Sequence, residues 1–305
     1  MNSSSVVNTA PLADSSPSTA PLERKISPVL EPLFENLAEL AVLPSVARDI
    51  LRVANDPAAG AIDLLPAVEQ DPGLATNLVK CANSSYYSPR EPIGDLRSAL
   101  SMLGVDKARN LAMTIIVGER FTAPAPYGEL DRERLWDHSV CTAVAARKIA
   151  RHTGCGDPEE AYLAGLIHEI GLLVIDQNLT EKLPRVVVRF RTGIDWADAE
   201  QEVLSFDHAQ LGGYIAWRSG FPDQIVQAVD LHHESGLATG ELAYLVGVVS
   251  IANYLVTRMG RGSVADRRLP PPSQMVFDRL GLDRTALREL WLVVEGQLTH
   301  VGGLA

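Results

Sequence analysis

From Val29 to Val117 large apolar side chains return every three or four residues, and no useful run alternates with a period of two. That spacing lines up on one side of a helix, whereas on a strand it would scatter over both faces. Leu30, Leu33, Phe34, Leu37 and Leu40 mark the first helix. After Pro44, Val46, Ile50, Leu51 and Val53 mark a second, stopping near Asn55-Asp56-Pro57. A third is expected over Asp63 to Gln70 and a fourth over Leu74 to Ala82. Turn chemistry follows from Asn83 to Pro92, and helices over Leu96–Leu103 and Asp106–Val117 flank Gly104.

The second half keeps the same period. Pro124, Pro126 and Gly128 mark residues 121–130 as a linker, and a helix from Asp131 carries His138 towards His152. Asp157-Pro158-Glu159-Glu160 is a helix start, with Asp as N-cap, Pro at the first helical position and Glu in the first turn. That helix brings Leu163, Leu166 and Ile167 to the core and ends at His168-Glu169-Ile170-Gly171, with Gly171 as the stop. Further helices are expected over about 195–204, 211–219, 222–233, 242–256 and 283–298, with a polar, proline-bearing stretch over about 261–274. The fold class is therefore all-α: a two-lobed helical bundle with an N-terminal lobe over 28–120 and a second lobe over 131–305. Residues 1–27, rich in Ser, Pro, Ala and Thr, are expected to form a disordered tail.

Composition narrows the function classes. A net charge of -11 argues against a broad grip on nucleic acid or an anionic membrane. No apolar run is long enough to span a bilayer, and the N-terminus lacks the pattern of a secretion signal. Three cysteines at unrelated spacings give no metal knuckle and no complete disulfide framework, which points to reduced thiols in a cytoplasm.

Five of the seven histidines follow one order: His138, His168 with Glu169, His208, and the pair His232-His233. Neutral imidazole is a common ligand for divalent cations. Adjacent residues on a helix point about 100° apart, so His168 with Glu169, and His232 with His233, share one ion only at helix ends. Asn253 sits in a very apolar helix and needs a partner for its amide. His152 and His300 read as ordinary partnered residues.

The order His, His-Asp, His, His-His, Asp resembles that of the HD superfamily of metal phosphohydrolases, and most of all the HD-GYP cyclic-di-GMP phosphodiesterases. The segments "LPSVARDIL", "VEQDPGLATNLVKCANSSYYS" and "LRSALSMLGVDKARNLAM" resemble the start of an HDOD domain, the HD-related output domain of bacterial signalling proteins, and the likeness runs from about residue 36 to 235. It implies an HD-like second lobe. The resemblance places His138, His168, Glu169, His208, His232, His233 and Asn253 at metal-ligand positions, with iron or manganese as the ion. Glu169 stands where the family carries Asp, and Asn253 stands near a final ligand Asp. Arg134 stands near a position that can carry a ligand glutamate, where an inward cation would oppose a metal. Ser235-Gly236-Leu237-Ala238 replaces the Gly-Tyr-Pro signature. With the acidic ligands thinned, an ion-free pocket is the alternative to a metal.

The expectation is a bacterial regulatory protein acting through contacts with signalling proteins in trans. Its HD site would bind metal or nucleotide without turnover, and no catalytic residue is assigned. The first rival is a metal-dependent phosphodiesterase for a cyclic dinucleotide. The second is a DNA-binding regulator using the 96–117 hairpin, with Arg90, Arg97, Lys107 and Arg109 on phosphates. Leu100, Met102, Leu103, Val105, Leu111 and Met113 leave that hairpin little polar face, which favours a place inside a bundle. Arg147, Lys148 and Arg151 read as a solvated helix face rather than a phosphate site.

Overall fold

A computed structural model of the chain describes residues 31–41, 43–84, 87–122, 130–264 and 269–298. The expected tail at 1–27 and most of the expected linker lie outside the described residues. The first helices are α1 (Glu31–Ala41), α2 (Ser45–Ala54), a 3-10 turn (Ala61–Leu64) running into α3 (Leu65–Val68), α4 (Pro72–Ala82), α5 (Leu96–Leu103) and α6 (Val105–Thr122). Then come α7 (Arg132–Thr153), α8 (Pro158–Ile167), α9 (Ile170–Asn178), α10 (Leu183–Phe190), α11 (Trp196–Leu204) and α12 (His208–Arg218). The chain closes with α13 (Asp223–Asp230), α14 (Leu242–Arg258), α15 (Gln274–Arg279) and α16 (Arg284–Leu298). The protein is all-α, with no strand among the described residues.

Helix starts follow local chemistry. Asp71, Asp95, Asp131, Asp157, Asp195 and Asp207 each accept a backbone N–H in the first turn of the helix they precede. Such a cap is worth roughly 1 kcal/mol because it satisfies a donor that the helix leaves open. Asp157 accepts from both Glu159 and Glu160, as its sequence predicts.

The core is continuous from Phe34 to Leu298. α7 packs against α6, α8, α14 and α16, while α12 packs against α9 and α13. α1 lies on α12, where Phe34 meets Phe206 at 4.9 Å and Tyr214 at 5.5 Å between ring centres. α6 runs against α2, α4, α7 and α8, so the 96–117 hairpin is an interior one.

Two glycines bring helices to backbone contact. A Cβ on Gly165 would stand 2.9 Å from Ala143 Cα and from the Thr142 carbonyl oxygen, so α7 and α8 can touch only without one. A Cβ on Gly171 would stand 2.0 Å from the His208 carbonyl oxygen and 2.7 Å from Gly212 N. This corrects the reading of Gly171 as a helix stop. It is the second residue of α9 and marks the α9–α12 crossing. The real break lies one step earlier, with His168 closing α8 and Glu169 opening α9.

Polar residues also join the first helices to the later ones. Asn110 on α6 donates to the Glu159 carbonyl at 2.8 Å and to its carboxylate at 3.1 Å. The Glu159 carboxylate accepts Arg147 at 2.5 Å and Arg151 at 3.0 Å. Arg147 is buried and lies 3.9 Å from the centre of the Tyr162 ring, so it is a packed cation and not part of a solvated face. Arg109 is likewise buried, donating to Asn110 at 3.1 Å, which takes it away from any phosphate role. Arg97 and Lys107 are exposed.

Candidate metal centre

Four elements converge on Glu169. His138 comes from the middle of α7, and His168 with Glu169 from the α8–α9 break. His208 is the first residue of α12, and His232-His233 follow the end of α13. His138, His168, Glu169 and His208 are fully buried, His232 nearly so, and His233 half-buried. The expectation that the neighbouring pairs lie at helix ends is met in both cases.

The ring orientations follow from hydrogen bonds on the outer side. His138 Nδ1 donates to the Arg261 carbonyl at 2.6 Å, His168 Nδ1 to that of Gly165 at 2.8 Å, and His232 Nδ1 to that of Val229 at 2.7 Å. A carbonyl only accepts, so in the neutral rings the proton sits on Nδ1 and the Nε2 lone pair points inward. His208 Nδ1 faces the Glu200 carboxylate at 2.5 Å, with the same result.

Inside, the Nε2 atoms of His138, His168 and His208 approach one another or the Glu169 carboxylate as acceptors. His138 Nε2 lies 3.2 Å from His168 Nε2. Both lie 3.6 Å from Glu169 Oε1, and His208 Nε2 lies 3.2 Å from Glu169 Oε2. His233 Nε2 is 2.9 Å from His208 Nε2. The Ser263 hydroxyl donates to Glu169 Oε1 at 3.0 Å. His232 Nε2 is buried with no hydrogen-bond partner among the described residues. Burial, then the neighbouring His168 and His208, holds the His232 pKa well below the ordinary imidazole value, so this ring stays neutral. Neutral imidazole is the metal-binding form.

Two sets of donor atoms lie close enough to hold an ion each: His138, His168 and Glu169, and His208, His232 and His233. Glu169 reaches the second set through Oε2. Two ligand atoms that both bind one cation at ~2.1 Å lie about 3.0–3.4 Å apart, which is the scale of these inward contacts. The donor set therefore fits divalent cations, and an orphaned, neutral His232 Nε2 is one direct sign of it.

Asn253 is buried on α14. Its Oδ1 accepts the Thr257 hydroxyl at 3.3 Å, and its Nδ2 has no hydrogen-bond partner among the described residues. Arg134 donates to the Gly262 carbonyl at 2.7 Å and so holds a loop.

Residues without a sequence signal complete the centre. Arg261, Gly262 and Ser263, in the stretch read only as polar, touch His138, Arg134 and Glu169. Glu200 backs His208. Beside His232 and His233 opens a cavity of about 450 Å³. Asp195, Asp198, Asp207, Glu234 and the Pro270–Pro272 run are in its walls, and no lysine or arginine lines it among the described residues. Burial raises the pKa of Asp207 there.

The chain is 23% identical over 228 residues to an uncharacterized protein of Treponema pallidum (strain Nichols), covering 73% of this chain and 43% of that one, so it spans less than half of that relative. The solved structure of a Geobacter sulfurreducens HDOD domain protein of unknown function superposes with a TM-score of 0.70 at 25% identity, over 89% of this chain and 95% of that one. A protein of Marinobacter aquaeolei VT8, named as a candidate signal transduction protein, superposes with a TM-score of 0.74 at 26% identity, over 88% of this chain and 60% of that one. The HDOD domain family model matches residues 40–235, well over half of the sequence, and the chain belongs to the HDOD domain family.

Proposed function

We propose that this chain is a metal-binding regulatory HDOD protein that acts on signalling proteins in trans and does not turn over a phosphodiester. One observation carries the metal: the inward Nε2 atoms and the Glu169 carboxylate face each other as acceptors at 3.2–3.6 Å. Two acceptor atoms at that distance repel unless a cation or a shared proton lies between them. His138, His168 and Glu169 would hold one ion, with His208, His232 and His233 holding a second. Asn253 is a weaker ligand, because an amide binds a cation through Oδ1 and that oxygen faces Thr257. Iron or manganese is the metal of choice, as imidazole and carboxylate suit both. When bound, such ions supply Lewis acidity and an activated water.

The cavity supports binding over cutting. Its four carboxylates face any anion that approaches His232 and His233, and the described walls offer no guanidinium or ammonium to receive a phosphate. The twofold reach of Glu169 favours one second reading, a surviving phosphodiesterase for a cyclic dinucleotide, because a carboxylate shared by two ions is a feature of two-metal hydrolysis. No described helix is long and apolar enough to cross a membrane, in keeping with the cytoplasmic setting we propose.

Metal analysis of protein purified without chelator or histidine tag tests the proposal. Near-stoichiometric transition metal, lost in a His168→Ala/His232→Ala double variant, is the expected result. Metal-free wild-type protein overturns the metal centre. Hydrolysis of cyclic-di-GMP by the loaded protein, absent in the double variant, replaces the regulatory reading with the enzymatic one.

A further inference from the structure

Among the inward-facing imidazoles, His138, His168 and His232 are oriented by backbone carbonyls, and His208 by a carboxylate. Glu200 Oε2 accepts the His208 backbone N–H at 2.8 Å and meets its Nδ1 at 2.5 Å. The other oxygen accepts the Trp196 indole N–H at 2.8 Å. Glu200 is fully buried, and no lysine or arginine pairs with it among the described residues.

An ionised carboxylate is costly to bury unless hydrogen bonds and positive charge compensate. Three N–H groups supply the hydrogen bonds. A cation on the far nitrogen of His208 would supply the charge through the ring. The two ligand groups differ in the same respect. The His138–His168–Glu169 group includes a carboxylate among its three ligands, while the three ligands of the His208–His232–His233 group are imidazoles, met by that shared carboxylate only at His208, where Glu169 Oε2 lies 3.2 Å from Nε2. A carboxylate behind an imidazole fixes its tautomer and makes it a stronger donor.

We propose that Glu200 is the positioning residue that makes His208, His232 and His233 a metal site in its own right. It locks His208 with Nε2 towards the ion and adds negative charge behind a group whose own three ligands are imidazoles. Glu200 touches no ion itself. The proposal rests on the metal reading above and assigns that reading a second, separable ion.

Titration of the metal-free protein with cobalt(II), followed by visible absorption, tests it. Wild-type protein is expected to bind two ions with distinguishable spectra. Glu200→Gln keeps the shape and removes the charge. It is expected to weaken one of the two by about 10–100-fold, the usual effect of losing such a partner, and to leave the other and the far-ultraviolet circular dichroism of the metal-free protein unchanged. Unchanged affinity at both sites overturns the proposal, and so does equal weakening of both, which marks a merely structural role. If Glu200→Gln fails to fold, Glu200→Asp takes its place. The shorter arm is expected to weaken the same single site by less, and wild-type affinity there overturns the proposal. A wild-type protein that binds no cobalt sinks the metal reading itself, a result distinct from the others.

Discussion

The His138–His168–Glu169 group draws on the middle of a long helix and the break between two short ones, whereas the His208–His232–His233 group draws on a helix's first residue and a turn. The first is sealed, with all three side chains fully buried. The second has His233 half-exposed and opens on the acidic cavity. The first is tied to backbone carbonyls and a serine, the second in part to a buried carboxylate. The difference teaches where each function can sit. On the metal reading proposed above, a sealed group with its own carboxylate would hold an ion the more tightly of the two. On that reading, an open group of imidazoles would exchange its ion faster than the sealed one.

The largest test acts on what the groups share. Glu169 opens α9 and His208 opens α12, so the crossing at Gly171 sets the distance between them. Gly171→Ala puts a Cβ 2.0 Å from a backbone oxygen, which cannot swing aside as a side chain would. Overpacking of this kind costs typically 1–3 kcal/mol, and with only the backbone of α12 in the way we expect about 3 kcal/mol or more. Urea unfolding of the metal-free protein measures it, and wild-type stability would falsify the crossing as the element that spaces the groups. Single ligand variants come next. His168→Ala removes an enclosed ligand and should weaken one ion by more than about 100-fold, beyond the usual effect of losing an outer partner. His233→Ala, at the cavity mouth, should weaken the other ion and speed its release. Equal effects of the two variants on both ions, read by metal content and chelator-release rates, would dissolve the distinction between a sealed and an open group.

A smaller effect is expected at Ser263. Its hydroxyl donates to Glu169 Oε1, and a hydrogen bond to a charged group is worth about 1.5–3 kcal/mol. Ser263→Ala should therefore lower affinity in the sealed group by roughly ten- to a hundredfold. Ser250→Ala, whose hydroxyl meets Ser235, is the matched control and should leave that affinity alone. A loss in the control as large as in Ser263→Ala would show that any lost hydroxyl loosens this corner.

Local signals were legible in the sequence, and tertiary ones were not. The Asp157 cap and the helical period of the early chain act within a few residues and could be read directly. The histidines were legible as a set because their order matches a family's. α9 escaped because Ile170–Ile175 is buried on every side, which erases the amphipathic stripe that marks a helix; α10 has such a stripe, burying Leu183 and Val186 while Val188 is exposed, so its local signal was present and went unread. Gly171 was noticed for the wrong reason, since close packing against α12 leaves no local trace. Glu200 and Ser263 stand 8 and 94 residues from the ligands they serve, and an ordinary polar residue at such a distance carries no signature. Arg147 was read as solvated because its partner Glu159 lies on the next helix.

Cys141 offers the finest probe of the sealed group. One loop residue, Arg261, joins the two: its carbonyl holds His138, while its guanidinium bonds Asp137 at 2.8 and 3.0 Å and Cys141 Sγ at 3.5 Å. Burial first, and Asp137 next, push the Cys141 thiol up to about 12. At pH 8 such a thiol is roughly one part in ten thousand thiolate, against about a quarter for an ordinary cysteine. Iodoacetamide should therefore leave Cys141 unmodified in the folded protein under conditions that label an unfolded control, with mass mapping to identify each site. If His138 is ordered by the Arg261 carbonyl, any opening of this corner both frees the histidine and exposes the thiol. Labelling of Cys141 should then be slowest in the metal-loaded protein and rise when the ion of the sealed group is removed. Fast labelling with metal bound would show that the sealed group breathes as freely as the open one.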